Sequence, residues 1–407
     1  MNSKDLVISK GTLKKTHLNG KVAIISGAGR GIGYETARSL IWLGVKVIIA
    51  EINKESGKEA EVGLNEEFGS EKALFIHTDV SKEKSIKNLK AEVDKRFGKM
   101  DIIINNAINI FVGEVHKVGI KEWDSSYQTN LRGPIMLTSY FLPDMLKRNK
   151  GIIVFVSSSG AAPYIGAYEV FKTAQVELSN TLAAELEDTG VITFTIGPGI
   201  VKTEGLMENI SKIADLYGKT VEEFLKMSES AAISVEAAGA GYAAAVAMAD
   251  KYRGLEISSF QALTDIGIEI KADIKTVHHL SKERKDTAFS LVNDIQKTLL
   301  NQFEAWQKRS IFERQWILRD FKKNTGVAPE YFLMLLDELK KAVKDSSEIP
   351  EALIKKLQLQ KLVDYWKHQK ELLRGYEKDP KKFKEYSETI KGWIQTINEF
   401  IRDYCNE

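Results

Sequence analysis

Tyr168 and Lys172 stand four residues apart in the segment AYEVFK, just after the serine run Ser157, Ser158 and Ser159. On a helix, positions four apart share a face, so the Lys172 ammonium can approach the Tyr168 ring through local structure alone. A positive charge about 5 Å away, at an effective dielectric of about 20, favours phenolate by roughly 3 kcal/mol. That predicts a phenol about two units below its reference value of about 10. Such a group exchanges protons with an alcohol or ketone oxygen near neutral pH. Taken singly, each residue has an ordinary reading: serines terminate strands, lysines are solvated and tyrosines pack. The chemical reading depends on their company.

That company is the glycine-rich segment SGAGRGIG. It follows KVAIIS, an apolar run suited to a buried parallel strand, and precedes YETARSLIWLG, which has helical spacing. Gly27, Gly31 and Gly33 let the backbone turn tightly and approach a pyrophosphate at the N-terminus of the helix that follows. The GxGxxG pattern would need glycine at Ile32, whereas GxxxGxG fits. Glu51 closes the next apolar run, VKVIIAE, where a carboxylate accepts hydrogen bonds from an adenosine ribose and disfavours a 2′-phosphate. Arg30 pulls the other way, because a guanidinium can pair with that phosphate. The balance predicts NAD over NADP.

Seven apolar runs begin near Lys21, Val45, Ala73, Asp101, Gly151, Val191 and Leu255, with helical segments between them. The alternation predicts an α/β fold with a doubly wound parallel sheet. AAGAGYAAAVAMA reads as a closely packed helix. Beyond about Ile270 strand-like runs give way to charged helical segments. Apolar stripes at Val292, Ile295, Leu299, Phe303 and Trp306, and at Phe383, Tyr386, Ile390, Trp393, Ile397 and Phe400, recur at steps of three and four. Pro350 and Asp379–Pro380 read as helix starts, predicting four or five helices. The expected organisation is an N-terminal arm over 1–20, a dinucleotide-binding domain over 21–269 and a helical bundle over 270–407.

The ordered motifs from about Lys21 to Leu263 resemble the classical short-chain dehydrogenase/reductases, of Rossmann type. SGAGRGIG resembles their cofactor loop, with Ser26 where threonine is commoner. Asp79 and Val80 in HTDV match the adenine-contacting pair, and NNAI, with Asn106 and Ala107, matches NNAG except for Ile108. Asn130 falls on the catalytic asparagine, Tyr168 and Lys172 on YxxxK, and PGIVKT (Pro198, Gly199, Val201, Thr203) on the segment holding the nicotinamide carboxamide. The resemblance implies Tyr168 as acid/base, Lys172 lowering its pKa and holding the nicotinamide ribose, a serine on the substrate oxygen, and Asn130 keeping a relay water behind Lys172. The interval from serine to tyrosine is shorter than usual, so alignment through the strand selects Ser158 and alignment through Gly160 selects Ser157. Ile108 predicts a reshaped cleft and a backbone without positive φ. The segment 201–234 is implied to be a substrate lid with Leu206, Met207, Ile213, Leu216 and Tyr217 on its apolar face. The bundle lies outside the resemblance.

The chain has 407 residues, 43% hydrophobic, with 58 Lys plus Arg against 56 Asp plus Glu. A net charge of +2 carries no nucleic-acid or membrane footprint. The single cysteine, Cys405, excludes an intrachain disulfide and fits a reducing cytoplasm. His278 and His279 lack the companions of a metal site and read as a solvated helix start. No targeting segment or bilayer-spanning run is recognisable. The expected activity is NAD(P)-dependent interconversion of a secondary alcohol and a ketone by a homo-oligomer. A nicotinamide-binding scaffold that recruits a partner, or a dehydratase or epimerase on the same fold, are the alternatives.

Overall fold

The computed structural model of the chain describes residues 6–158, 162–228, 232–268, 276–279, 282–345, 348–350, 357–376 and 379–404. It divides into two compact units, Met1–Ala272 and Asp273–Glu407.

In the first unit, β1 (Val22–Ser26), β2 (Lys46–Glu51), β3 (Ala73–His77), β4 (Ile102–Asn105), β5 (Gly151–Val156), β6 (Val191–Gly197) and β9 (Glu256–Ser258) form one sheet, all neighbours parallel, in the order β3-β2-β1-β4-β5-β6-β9. A two-residue pair, β7 (Ile200–Val201) with β8 (Ala232–Ile233), lies outside it. The apolar runs of β1 and β4 are buried along their whole length, as strands covered on both faces require. Each expected run begins within one residue of an observed strand. The strand order reverses between β1 and β4, and a crevice opens at the carboxyl ends of strands at such a switch point.

Helices α1 (Gly31–Trp42), α2 (Lys54–Phe68), α3 (Glu83–Phe97), α4 (Ile120–Tyr127), α5 (Gly133–Lys147) and α6 (Gly166–Glu185) flank the strands. Short helices α7 (Glu204–Met207), α8 (Ile210–Leu216) and α9 (Val221–Ser228) precede α10 (Val235–Ala247), α11 (Ala249–Tyr252) and α12 (Ser259–Asp265). The small residues of α10 have a packing reason. A Cβ at Gly239 would lie 2.6 Å from Glu35 of α1, and one at Gly241 would lie 2.5 Å from Ser259 of α12. The arm before β1 is anchored: Leu6 and Ile8 are buried, Val7 N–H donates to Glu236 at 2.9 Å, and Thr12 N–H to the Ile266 carbonyl at 2.8 Å.

In the second unit, α13 (Lys282–Gln307), α14 (Ile311–Thr325), α15 (Pro329–Asp345), α16 (Leu359–Tyr376) and α17 (Pro380–Tyr404) surround a core that includes Val292, Ile295, Leu299, Phe321, Trp366, Ile390, Ile397 and Phe400. The apolar stripes therefore serve this core, with Trp366 and Trp393 at 5.2 Å between ring centroids. Tyr386 departs from its stripe and is exposed. Ser310 and Glu313 form a reciprocal capping box, and Gly326 closes α14 in the left-handed conformation. One expectation is corrected here. His278 and His279 belong to a strand, β10 (Thr276–His279), paired antiparallel with β11 (Glu348–Pro350). Pro350 closes that second strand, and the helix expected to follow it falls on 351–356, outside the described residues. The pairing joins segments some seventy residues apart, which local propensity does not report. Pro380 does open α17. Cys405 lies outside the described residues.

Candidate active site

The cofactor loop leaves β1 at Ser26 and enters α1 at Gly31. Gly27 and Gly31 have φ of +67° and +62°, the left-handed region that L side chains avoid. Gly33 is set by space: a Cβ there would lie 2.3 Å from the Gly27 carbonyl oxygen and 2.6 Å from Asn106 Nδ2. Arg30 occupies the N-cap of α1 without a side-chain capping bond, leaving the first N–H groups of that helix, beside Gly31, Ile32 and Gly33, for a ligand.

The end of β4 is tied to this loop. Asn106 Nδ2 donates to the carbonyls of Ser26 (3.0 Å) and Gly27 (2.9 Å), and the Ser26 hydroxyl accepts the N–H groups of Asn106 and Ala107, each at 3.0 Å. Ile108, one residue on, is not among the residues with positive φ, and its side chain is exposed.

Glu51, at the end of β2, accepts from Gly29 N–H (3.1 Å), Ile52 N–H (2.9 Å) and Asn53 N–H (3.0 Å). A Cβ at Gly29 would lie 2.8 Å from the Glu51 side chain, so this fourth glycine, outside the expected pattern, is what admits the carboxylate to the loop. Asp79 accepts the N–H and hydroxyl of Ser81, and Val80 is buried. Gly199 turns at φ +83° after Pro198, Val201 pairs with Ile233, and Thr203 caps α7 by accepting Leu206 N–H at 3.2 Å.

Lys172 Nζ lies 5.9 Å from the centroid of the Tyr168 ring, both on α6. Lys172 is fully buried, and its ammonium nitrogen has no hydrogen-bond partner within the protein. Burial lowers its pKa to about 7, against the opposing pull of Glu169. The Tyr168 phenol is pushed up to about 12, first by desolvation, with the Ser158 hydrogen bond working downward and the charge of Glu169 upward. The expected depression of the phenol is thus reversed. Dense packing penalises the charged form of both groups more than their proximity rewards it.

Ser158 lies beside Tyr168 and donates its hydroxyl to Glu169 Oε1 at 2.7 Å. Ser157 is buried, its N–H bonded to the Ile196 carbonyl and its hydroxyl against Gly197 of β6. Of the two candidate serines, Ser158 is therefore the one brought to the tyrosine. Ser159 and Gly160 lie outside the described residues.

Asn130 sits in a π turn, Gln128–Arg132, between α4 and α5. It is fully buried, and its side chain is bound at both ends: Oδ1 accepts Asn109 N–H at 3.0 Å, while Nδ2 donates to the Asn109 carbonyl (2.9 Å) and the Ser126 hydroxyl (2.8 Å). Its own carbonyl accepts from Gln175 Nε2 on α6. Asn130 thus offers the site its backbone, and one lone pair of that carbonyl is already engaged. Asn109, Ser126, Gln175 and Glu169 were not singled out from the sequence. For Glu169 and Gln175 a signal existed, since both lie three residues from Lys172 and share its helix face.

Over the segment 201–234, Ile210, Ile213 and Ala214 are buried. Tyr217, just after α8, meets Tyr164 at 5.2 Å and Phe224 of α9 at 5.1 Å between centroids, an aromatic chain from the loop before α6 into the expected lid. Tyr164 itself is held at φ +69°. Arg30 binds Glu208 (2.8 Å) and Glu204 (3.2 Å) across exposed surface, so its guanidinium faces carboxylates. Among the described residues no cluster of three or more His, Cys, Asp or Glu could hold a metal, and no helix is long and apolar enough to cross a membrane.

Comparison with known proteins agrees with this geometry. A family model described as short chain dehydrogenase matches residues 21–214. An uncharacterized oxidoreductase of Thermotoga maritima is 34% identical over 203 residues, covering 49% of this chain and 78% of the relative. Human 15-hydroxyprostaglandin dehydrogenase [NAD(+)] is 34% identical over 205 residues, 48% of this chain and 73% of the relative. Among solved structures, the 3-ketoacyl-(acyl-carrier-protein) reductase of Brucella melitensis complexed with NADH superimposes with a TM-score of 0.52 at 25% identity, over 59% of this chain and 97% of that one. NAD+-bound xylitol dehydrogenase shares the fold with a TM-score of 0.54 at 23% identity, over 59% and 97% of the two chains. With the glycine loop, the parallel sheet and the Tyr168–Lys172 pair already in place, these matches establish that the chain belongs to the short-chain dehydrogenase/reductase family of oxidoreductases.

Proposed function

We propose that this oxidoreductase interconverts a secondary alcohol and a ketone with NAD as its redox partner. The observation that carries the reading is the convergence of Ser158, Tyr168 and Lys172, with Lys172 Nζ buried and without a partner of its own. The turn formed by Gly27, Gly31, Ile32 and Gly33, with left-handed glycines leading into a helix start that no side chain caps, fits a dinucleotide. When bound, that cofactor accepts or supplies the hydride. Glu51 takes the adenosine ribose hydroxyls, Asp79 and Val80 the adenine, and Asn106, Ala107, Pro198, Gly199, Val201 and Thr203 border the nicotinamide. Lys172 hydrogen-bonds the nicotinamide ribose and stabilises phenolate, Tyr168 moves the proton, and Ser158 holds the substrate oxygen. Asn130 holds α4 and α5 in place around them and presents its carbonyl to the relay behind Lys172.

NAD is favoured over NADP because Glu51 sits against the loop as an acceptor, while Arg30 is already engaged by Glu204 and Glu208. The NAD(+) specificity of the human relative and the NADH bound to the Brucella melitensis reductase support the same choice. The aromatic chain through Tyr164, Tyr217 and Phe224 suits a partly hydrophobic substrate. We further assign the protein to a reducing cytoplasm and to a homo-oligomer to which the helical unit contributes contacts. A chain ending at Ala272 then changes its subunit number by light scattering, and an unchanged subunit number with full activity removes that role. The decisive experiment is a panel of alcohols and ketones followed by nicotinamide absorbance with each cofactor. Reduction or oxidation with NAD supports the reading, and binding of nicotinamide cofactor without turnover of any member overturns it.

A further inference from the structure

Arg30 stands one residue after Gly29, whose N–H donates to Glu51 at 3.1 Å, so it is the cation of the glycine loop beside the carboxylate proposed to take the adenosine ribose. Its guanidinium pairs elsewhere. Nη1 donates to Glu204 (3.2 Å) and Glu208 (2.8 Å), 174 and 178 residues further along the chain. The two carboxylates come from a single helical turn. Thr203 caps α7 by accepting Leu206 N–H at 3.2 Å, which fixes where that turn begins, and Glu204 and Glu208, four residues apart, fall on one face of it. The segment that carries Thr203 is thereby tied to the cofactor loop.

The tie changes the charge that a cofactor meets. Arg30 alone offers a 2′-phosphate one positive charge. With Glu204 and Glu208 in contact the group is net negative, and Glu51 adds a further carboxylate one residue from Arg30's neighbour Gly29. A phosphomonoester of about −1.5 to −2 charge at pH 7 is repelled there, whereas the hydroxyls of an unphosphorylated ribose are not. All three side chains are more than half exposed, so the effect is that of screened surface charges.

We propose that Glu204 and Glu208 are specificity-determining residues: by holding and neutralising Arg30 they turn the expected lid against the 2′-phosphate, and NADP must draw Arg30 off α7 in order to bind. The proposal rests on the NAD reading above.

The test is calorimetric titration of NAD and NADP into wild type and into the double variant Glu204→Gln with Glu208→Gln, which keeps side-chain size and removes both charges. The double variant should bind NADP roughly tenfold more tightly than wild type does, with NAD affinity moving by less than about threefold. Each single variant should give part of the gain, and serves in place of the double if that protein does not fold. In an Arg30→Ala background most of the gain should disappear, because no released guanidinium is left to meet the phosphate. A ratio of NADP to NAD affinity that is the same in wild type and the double variant overturns the proposal, as does a gain of equal size without Arg30.

Adenosine 2′,5′-bisphosphate and adenosine 5′-monophosphate, titrated in the same way, isolate the adenosine end from the nicotinamide. The bisphosphate should follow NADP and the monophosphate should follow NAD. A gain for NADP that the bisphosphate does not share would locate the effect away from the 2′-phosphate and overturn the proposal. Wild-type protein binding NADP more tightly than NAD would instead remove the NAD reading, while the change between wild type and the double variant still decides whether the carboxylates hold Arg30 back.

Discussion

The two units differ in the polarity they enclose at their centres. Around α6 the first unit encloses Lys172 Nζ without a partner, pins Asn130 at every side-chain atom and interrupts a helix with a π turn. The second unit buries Leu299, Phe321, Leu336, Trp366 and Phe400 in an ordinary apolar core and gives the Trp366 N–H a partner in Gln302 at 3.1 Å. A fold arranged only for stability resembles the second. Departures from that pattern, concentrated at the end of one sheet, mark where the first unit is arranged for chemistry.

The contrast can be broken most sharply at Tyr168. Tyr168→Phe keeps the ring and removes the proton-carrying oxygen, so hydride turnover should fall by roughly 10³-fold while cofactor binding persists. Turnover within a few-fold of wild type, by nicotinamide absorbance, would take Tyr168 out of the mechanism. In the helical unit the matching substitution is Trp366→Ala. It should cost about 3–5 kcal/mol and lower one calorimetric transition, leaving the cofactor-dependent transition of the other unit in place. A single transition moved as a whole would erase the distinction between the units.

Lys172→Met tests whether the site opposes stability. With a pKa of about 7 folded against 10.5 for an unperturbed lysine, the unfolded chain holds a proton that the folded chain lacks between those values. Stability should therefore climb as pH rises from about 7 to 10.5, with the full penalty present below about 7. Methionine removes the unpartnered amine. The variant should be more stable than wild type by about 1–3 kcal/mol at neutral pH or below, lose the slope in denaturant titrations, and be inactive. A destabilised variant would mean that Lys172 supports the fold. Glu51→Ala is expected to have the smallest effect, a loss of roughly tenfold in NAD affinity that narrows the gap to NADP in calorimetry. Tighter binding of NADP than NAD by the wild-type protein would transfer the choice to Arg30.

All seven strands of the sheet were readable because a parallel strand covered on both faces is a continuous apolar run, as in Ile102–Asn105, and needs no long-range information to be seen. The loop glycines and the Tyr168–Lys172 spacing were readable for a similar reason, since their geometry is set within one turn or one loop. Glu169 was not, because burial of a carboxylate depends on what the chain folds against it. The same holds for β10 and β11, whose partners are remote in sequence, and for the Tyr168 phenol. Its neighbouring charge could be counted from the sequence, but its desolvation could not. Between Ser157 and Ser158 the choice required knowing which hydroxyl the strand end turns toward α6.

The π turn at Gln128–Arg132 has a consequence for how this region tolerates length changes. Such a turn holds one residue more than the α-helical pitch accommodates, so deleting a neighbour such as Gln128 would yield a more regular helix. It would also advance the helical phase of everything on one side of the deletion by about 100°. Asn130 would rotate away from Asn109, or Trp123 and Ser126 away from α6, and the two sets could not be kept in register together. The irregularity works as a phase adjuster between two helices whose faces must satisfy different neighbours.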